Sequence, residues 1–236
     1  MKFSGFTNTQ LKLIAVIAMA IDHIGYELLP QWPILTIIGR LAYPIFAYMI
    51  AEGCAHTKHR SHYFWTVFGF GALCQVIFYI ATGSMYQNIL ITFSLSILTI
   101  YSFDFCKDKL TGPKSVMSYV SAYLMLAEGA LVIFICTYLP EKSDNDFWVD
   151  YGLIGVLLPV VLYLVQNRTH KLICLTIMLA LMGYTIGGPQ WYALITVPLL
   201  ALYNGQRGTA QLKYLFYIFY PAHLAIIYGI KMLLER

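Results

Sequence analysis

The stretch that decides the fold runs from Asp22 to Thr57 and reads DHIGYELLPQWPILTIIGRLAYPIFAYMIAEGCAHT. It places Asp22 beside His23, then Arg40, then Glu52, in a sequence otherwise apolar enough to sit in lipid. An ionisable side chain at membrane depth costs at least about 2.5–3.5 kcal/mol on insertion scales, so it marks a functional site by default. We therefore interpret this stretch as the functional centre of the chain.

Composition places the chain among membrane proteins. It is 59% hydrophobic and 11% charged, whereas soluble domains have roughly 45–50% apolar and about 25% charged residues. Because the apolar residues form long runs, we predict an all-α, polytopic transmembrane helical bundle. A chain of 236 residues has room for about nine spans (eight to ten) of roughly 20 residues with short loops. We expect residues 1–236 to form a single integral membrane domain.

Turn-rich or charged segments separate the expected spans. The nine expected helices cover about residues 9–29, 34–54, 62–82, 88–106, 115–139, 151–166, 171–187, 190–204 and 213–234.

The distribution of lysine and arginine predicts the orientation, since cytoplasmic loops are enriched in both. With the N-terminus inside, eleven of these residues fall on the cytoplasmic side and three outside, while Arg40 is intramembrane. The cytoplasmic set is Lys2, Lys12, Lys58, Arg60, Lys107, Lys109, Lys114, Arg168, Lys171, Arg207 and Lys213. The outer set is Lys142, Lys231 and Arg236. The N-terminus is therefore expected in the cytoplasm.

Several site classes are disfavoured by the sequence. The net charge of +4 includes no basic run with interleaved aromatic residues, so we expect no nucleic-acid partner. The five cysteines are scattered, without a C-x-x-C pair, which disfavours a disulfide framework or a zinc site. His56, His59 and His62 are spaced so that imidazoles could share a helix face, but no acid or thiolate is placed to complete a metal site. We expect no metal.

Asp22 and Arg40 are predicted to lie close together. The turn between the first two expected helices is short, so these helices are antiparallel neighbours with Asp22 and Arg40 at similar depth. Two interpretations follow. Either the two residues form a structural ion pair that locks the hairpin, or Arg40 offsets Asp22 while His23 faces a cavity. Adjacent helix residues point about 100° apart, so Asp22 and His23 do not face each other.

Two further polar residues lie near the middle of later spans. Glu128 is in the fifth expected helix, and His223 is in the ninth, after Pro221. Proline removes a backbone donor and can kink a helix, which would open room beside His223. Either residue could pair with the other or with the polar group of the first helix.

Sequence segments spread over nearly the whole chain resemble the TraX family of membrane proteins. The matching pieces are LKLIAVIAMAIDHIG (11–25), IIGRLAYPIFAYMIAEGCAHT (37–57), Gln87-Asn88 at the start of a span, LLALYNGQRG (199–208) and YLFYIFYPAHLAII (214–227). The combination DHIG…GRxAxPIF…EG…T is specific, whereas each piece alone is not. The family includes the conjugative-plasmid protein that acetylates the N-terminus of pilin, and it is placed near membrane acyltransferases that use cytoplasmic acetyl-CoA.

The resemblance implies a membrane-embedded acyltransferase in a bacterial plasma membrane. It would move acetyl from acetyl-CoA, acting as a donor substrate, to an amine or hydroxyl of a protein or envelope acceptor. The alternative is a proton-coupled small-solute transporter that uses the intramembrane Asp, His, Arg and Glu groups as a relay. A non-enzymatic membrane scaffold is a third possibility.

The expected roles in acyl transfer follow from side-chain chemistry. His23 titrates near neutral pH and is the expected general base, oriented by Asp22 or another acid. Arg40 would stabilise negative charge on the thioester oxygen. His223 is the reserve catalytic histidine.

Three residues near the cytoplasmic face complete the expected site. Glu52 would position the acceptor, and Lys58 and Arg60 would attract the anionic CoA. The depth of His23, nearer the outer leaflet, would then require a channel for the pantetheine arm.

Overall fold

The computed structural model describes residues 5–113, 115–143, 146–208 and 213–234. These residues form helices and connecting turns, and the only β-type pairs among them are two isolated bridges, Phe6 with Tyr203 and Gln87 with Val149. The prediction of an all-α fold is confirmed.

The helices follow one another with short connections, and each of the nine expected segments contains helix. In chain order they are α1 (Asn8–Glu27), α2 (Pro33–Gly39), α3 (Ala42–His56), α4 (Arg60–Thr82), α5 (Ile89–Thr111), α6 (Val116–Ile133), α7 (Leu139–Lys142), α8 (Gly152–Leu164), α9 (Arg168–Ile186), α10 (Thr196–Ala201) and α11 (Lys213–Leu234). A π-helical turn (Phe134–Tyr138) joins α6 to α7, and a 3-10 helix (Gly188–Ile195) leads into α10.

The single helix expected over residues 34–54 is instead two helices, α2 and α3, separated at Arg40 and Leu41. The cause is Pro44, in the first turn of α3. Proline has no N–H to donate, and its ring clashes with the carbonyl four residues earlier, which belongs to Arg40. The α-helical register therefore ends just before that position, and Arg40 becomes the C-cap residue of α2.

The same effect explains two other interruptions. Pro140 lies four residues after Cys136, where the segment expected over 115–139 adopts the π-helical turn. Pro198 lies four residues after Leu194, where the segment expected over 190–204 is 3-10 rather than α-helical. In each case the backbone changes its hydrogen-bond register instead of accepting the clash.

Five helical segments are long and apolar enough to cross a membrane, by length and composition. They are Pro33–His56, Arg60–Ile80, Ile89–Thr111, Val116–Lys142 and Arg168–Ile186, with shorter apolar helices at Gly152–Leu164 and Ile218–Leu234. The helix α1 is not in this group, since Lys12, Asp22 and Glu27 reduce its hydropathy.

The chain divides into two compact units. Unit 1 comprises Met1–Met49 and Gln166–Arg236, and unit 2 comprises Ile50–Val165. The boundary falls inside α3. The expectation of a single integral membrane domain over 1–236 stays a prediction.

In unit 1, the start of α1 is fixed to the segment before α11. Thr7 and Gln10 form a reciprocal capping box at the start of α1, which satisfies two of the free N–H groups there. Asn204 N donates to Phe6 O at 2.9 Å, and Thr9 Oγ1 donates to Arg207 O at 2.8 Å. These bonds hold the N-terminal end of α1 in place.

In unit 2, α5 packs against α4, α6 and α8. Asn88 caps the start of α5 by accepting from Leu90 N at 3.0 Å, and its Nδ2 donates to Gly71 O in α4 at 2.9 Å. Ser96 Oγ donates to Val156 O in α8 at 2.8 Å. Polar groups inside this bundle are thus used to join neighbouring helices.

We predict that Asn88→Ala destabilises unit 2. The change removes the N-cap, worth typically about 1 kcal/mol, and the donors to Gly71 O and Gln75 Oε1. Asn88→Ser is the matched control, since serine retains a capping oxygen but does not reach α4. The free energy of unfolding in detergent, measured by denaturant titration, should fall in the order wild type, serine, alanine. Equal values for wild type and Asn88→Ala would contradict this.

We also predict the orientation of the chain from its charge asymmetry. An alkaline phosphatase inserted after Ser143 should be active, since the segment before α8 is expected outside. The same enzyme inserted after Gln206 should be inactive, while a green fluorescent protein there should fluoresce. The reverse pattern at both sites would show the N-terminus outside.

Candidate functional site

Asp22 of α1 and Arg40 at the end of α2 form a bidentate ion pair. Arg40 Nη2 donates to both carboxylate oxygens of Asp22 at 2.8 Å, and each side chain is 21% exposed. The structure therefore brings together the two residues expected at similar depth. Because both oxygens of Asp22 are engaged by Arg40, the geometry favours the interpretation in which the pair locks the hairpin.

Two glycines allow the helices of this hairpin to approach closely. A Cβ atom on Gly39 would lie 2.2 Å from Asp22 Cβ, and one on Gly25 would lie 2.6 Å from Leu35 Cβ. Neither distance is possible for real atoms. Glycine at both positions is thus a condition for the short Asp22–Arg40 contact.

Gln190 supports Arg40 from the 3-10 helix and was not predicted as a site residue. Arg40 Nη1 donates to Gln190 Oε1 at 3.3 Å, and the Gln190 side chain donates through Nε2 to Met182 Sδ at 3.1 Å. Gln190 is only 2% exposed. In the sequence it follows Gly188 and Pro189, which indicate a turn, and a turn glutamine is ordinarily solvent-exposed.

His23 and His223 lie against each other. Their ring centroids are 5.0 Å apart with the planes at 70°. The contact joins α1 to α11. Of the two partners considered for His223, Glu128 and the polar group of the first helix, the structure shows the second. Glu128, in unit 2, contacts Thr99 instead.

The carbonyl oxygen of Phe219 fixes the tautomer of His223. Its Nδ1 lies 2.8 Å from Phe219 O, and a carbonyl oxygen only accepts, so Nδ1 carries the hydrogen and donates it. In the neutral ring Nε2 then has a free lone pair. This Nε2 is buried without a hydrogen-bond partner among the described residues, which is uncommon for a buried polar atom. In the neutral form of the ring, the site thus offers one nitrogen lone pair that can accept a proton.

Glu27 is a second site residue that the sequence interpretation missed. Its carboxylate accepts from Lys231 Nζ at 2.8 Å and from Tyr228 Oη at 3.1 Å. Glu27 follows His23 by four residues, which places both on one face of α1. This four-residue spacing is the sequence signal that could have identified Glu27 as a site residue. Because His23 contacts His223 and Glu27 contacts Lys231, α1 and α11 run in the same direction.

The remaining predicted residues belong to unit 2. Lys58 is exposed in the turn between α3 and α4. Arg60 pairs with Asp104 at 2.7 Å, and the carbonyl of Glu52 accepts from His56 Nδ1 at 2.9 Å. Across the described ranges, no three His, Cys, Asp or Glu side chains come together as a metal site.

Comparisons with known proteins give a consistent family assignment. The chain is 24% identical to the probable fimbrial assembly protein FimC, serogroup H1, of Dichelobacter nodosus, over 98% of both chains. It is 28% identical to an uncharacterized protein of Rickettsia prowazekii (strain Madrid E), over 71% of this chain and 60% of that one. It is 22% identical to the protein TraX of Escherichia coli, over 92% of this chain and 84% of that one. No solved structure matches.

The family model described as TraX protein matches residues 7–231. This range covers the imidazole pair, the Asp22–Arg40 ion pair and the apolar segments long enough to cross a membrane. The resemblance seen in the sequence is confirmed: the chain is a membrane protein and belongs to the TraX family.

Proposed function

We propose that the protein is a membrane-embedded acyltransferase that moves an acetyl group from acetyl-CoA to an amine or hydroxyl. The observation that carries the proposal is the unpartnered Nε2 of His223 beside His23, because acyl transfer needs a base that takes a proton from the attacking group. Family membership is consistent with this chemistry. We place the protein in a bacterial plasma membrane as a multi-pass protein.

The reaction can be written with all atoms retained. The acceptor nitrogen or oxygen forms a bond to the acetyl carbonyl carbon while the imidazole takes its proton. The carbon–sulfur bond then breaks, and the CoA thiolate receives the proton from the imidazolium. In a site of low dielectric, charges that develop during these steps interact strongly with fixed dipoles and charges.

Either histidine of the pair can be the base. The sequence favours His23, with His223 in reserve, while the fixed tautomer of His223 provides the better-defined acceptor. The 5.0 Å contact keeps one ring beside the other, so the second imidazole polarises and positions the first. Single substitutions separate the two assignments.

The Asp22–Arg40 pair is assigned mainly a positioning role. It holds α1 against α2. His23, the next residue of α1, then meets His223 of α11. Orientation of His23 by an acid is better suited to Glu27, one turn away on the same face. The roles expected for Glu52, Lys58 and Arg60 in binding the acceptor and CoA remain predictions.

The acceptor is proposed to be an envelope protein. The Dichelobacter relative is named a probable fimbrial assembly protein, which favours a fimbrial subunit or another protein of the envelope with a free amine.

We predict that His223→Asn lowers acetyl transfer by about 10²–10⁴-fold. Asparagine retains a donor for Phe219 O but has no basic nitrogen, so the fold is preserved while the base is lost. The measurement is transfer from radiolabelled acetyl-CoA to a tetra-alanine peptide by purified protein in nanodiscs. Equal loss in His23→Asn would show that the rings act together, and loss in His23→Asn alone would make His23 the base.

The matched control is His170→Asn, which changes an exposed histidine at the start of α9. It should transfer acetyl at the wild-type rate. If the wild-type protein transfers no acetyl but carries solute under a pH gradient in proteoliposomes, the transporter alternative replaces the proposal.

We further predict strong energetic coupling between Asp22 and Arg40. Asp22→Asn or Arg40→Gln alone removes one partner of a partly buried ion pair. Each should lower the free energy of unfolding by no more than about 3–5 kcal/mol, the cost at a fully buried pair. The double variant has no unpaired charge and should be more stable than either single variant. Additive losses in the double variant, measured by denaturant titration, would rule out the pair as the lock of the hairpin.

A further inference from the structure

A partly buried acid lies in unit 2, separate from the imidazole pair. Glu128 is on α6, inside the membrane-crossing segment Val116–Lys142. One carboxyl oxygen, Oε1, lies 2.8 Å from Thr99 Oγ1 of α5. The other, Oε2, is buried without a hydrogen-bond partner in the described part of the chain. We propose that Glu128 is a proton-binding site in the membrane interior, present as a neutral carboxyl group.

The hydrogen-bond geometry at Thr99 supports the neutral form. Thr99 Oγ1 is 3.0 Å from Leu95 O and 2.8 Å from Glu128 Oε1, but a hydroxyl has only one hydrogen to donate. Leu95 O can only accept. If Thr99 donates to it, the contact with Glu128 is a hydrogen bond only when the carboxyl group donates. Protonation of Glu128 therefore makes both contacts favourable at once.

No compensating charge is found beside Glu128 among the residues described. The helix packed on this side is α5, whose ionisable residues nearest to Thr99 are Tyr101 and Asp104. Asp104 is already bonded to Arg60 at 2.7 Å and to Tyr163 Oη at 2.6 Å. An ionised Glu128 would thus be an unpaired charge at membrane depth, which is strongly unfavourable.

The other titratable side chains on α6 and in the turn that follows it are tyrosines and a cysteine, which carry no positive charge in either protonation state. Tyr119 and Tyr123 are exposed on the N-terminal half of α6, by 62% and 75%. Cys136 is buried, and Tyr138 is exposed in the π-helical turn that follows. None of these groups supplies a cation that would hold Glu128 in its charged form.

The surroundings make Glu128 reachable from lipid rather than from water. On the same helix, Leu124 and Leu131 are 57% and 53% exposed. Apart from its chain neighbours and the backbone of α6, no atom of the described residues lies within 4 Å of the position that a Cβ on Gly129 would occupy. A small apolar reagent dissolved in the bilayer can therefore reach this face of α6, and it meets the carboxyl group when the side chain of Glu128 moves, because Oε2 is otherwise covered.

A neutral carboxyl in such a place has a defined chemistry with carbodiimides. The carboxyl proton moves to a carbodiimide nitrogen, and a carboxyl oxygen adds to the central carbon to form an O-acylisourea. The acyl group then migrates from oxygen to nitrogen, which gives a stable N-acylurea that retains every atom of both reactants. An ionised carboxylate lacks the proton for the first step.

The test uses the full-length protein in membrane vesicles treated with dicyclohexylcarbodiimide, followed by peptide mapping by mass spectrometry. We expect the adduct on Glu128, and its loss in Glu128→Gln, which preserves shape but has no carboxyl group. A water-soluble carbodiimide should instead label Glu141, which is exposed.

Mapping of the wild-type protein alone decides the outcome if Glu128→Gln does not fold. Absence of an adduct on Glu128 overturns the proposal. Labelling of Glu128 by the water-soluble reagent but not by the lipid-soluble one also overturns it, since the group would then face water. Because acetyl transfer is not the readout, this result is independent of the proposed function.

Discussion

The bidentate contact between Asp22 and Arg40 is the interaction on which the rest of unit 1 depends. A single charge at this depth is costly, and a buried pair is tolerated only when the geometry is close and the remaining donors are satisfied. Both conditions are met, by 2.8 Å contacts to both oxygens and by the amide of Gln190. The absence of a side chain at Gly39 makes the approach possible.

The Asp22–Arg40 ion pair determines how the two histidines are held. The ion pair fixes α1 on α2. One turn after His23 on α1, Glu27 binds Lys231 and Tyr228 and so fixes α11 on α1. The imidazole pair lies between the Asp22–Arg40 and Glu27–Lys231 ion pairs, at the same level of α1 and α11. A base in acyl transfer has to be held within hydrogen-bond reach of its substrate, and two ion pairs on either side of it provide that rigidity.

The sequence predicts much of this arrangement because apolar runs and charge breaks are local signals. It identified the all-α class, the helical segments and the pairing of Asp22 with Arg40. It did not reveal the changes of helical register before Pro44, Pro140 and Pro198, since hydropathy does not depend on hydrogen-bond register. Gln190 was missed because burial of a turn residue depends on tertiary packing, and Glu27 because its partners lie about 200 residues away.

Carboxyl groups on the apolar helices are accommodated in two ways, with a paired cation or with a hydroxyl group alone. Unit 2 contains both, since Asp104 is paired with Arg60. In unit 1, Asp22 and Glu27 each have a cation at 2.8 Å, so each carboxyl group forms a structural ion pair. In unit 2, Glu128 has only a hydroxyl and therefore keeps its proton. A carboxylate fixed by an arginine cannot exchange a proton without breaking the fold, whereas one bonded to Thr99 can. We therefore expect proton exchange at Glu128 and the two histidines rather than at the cation-paired Asp22 and Glu27.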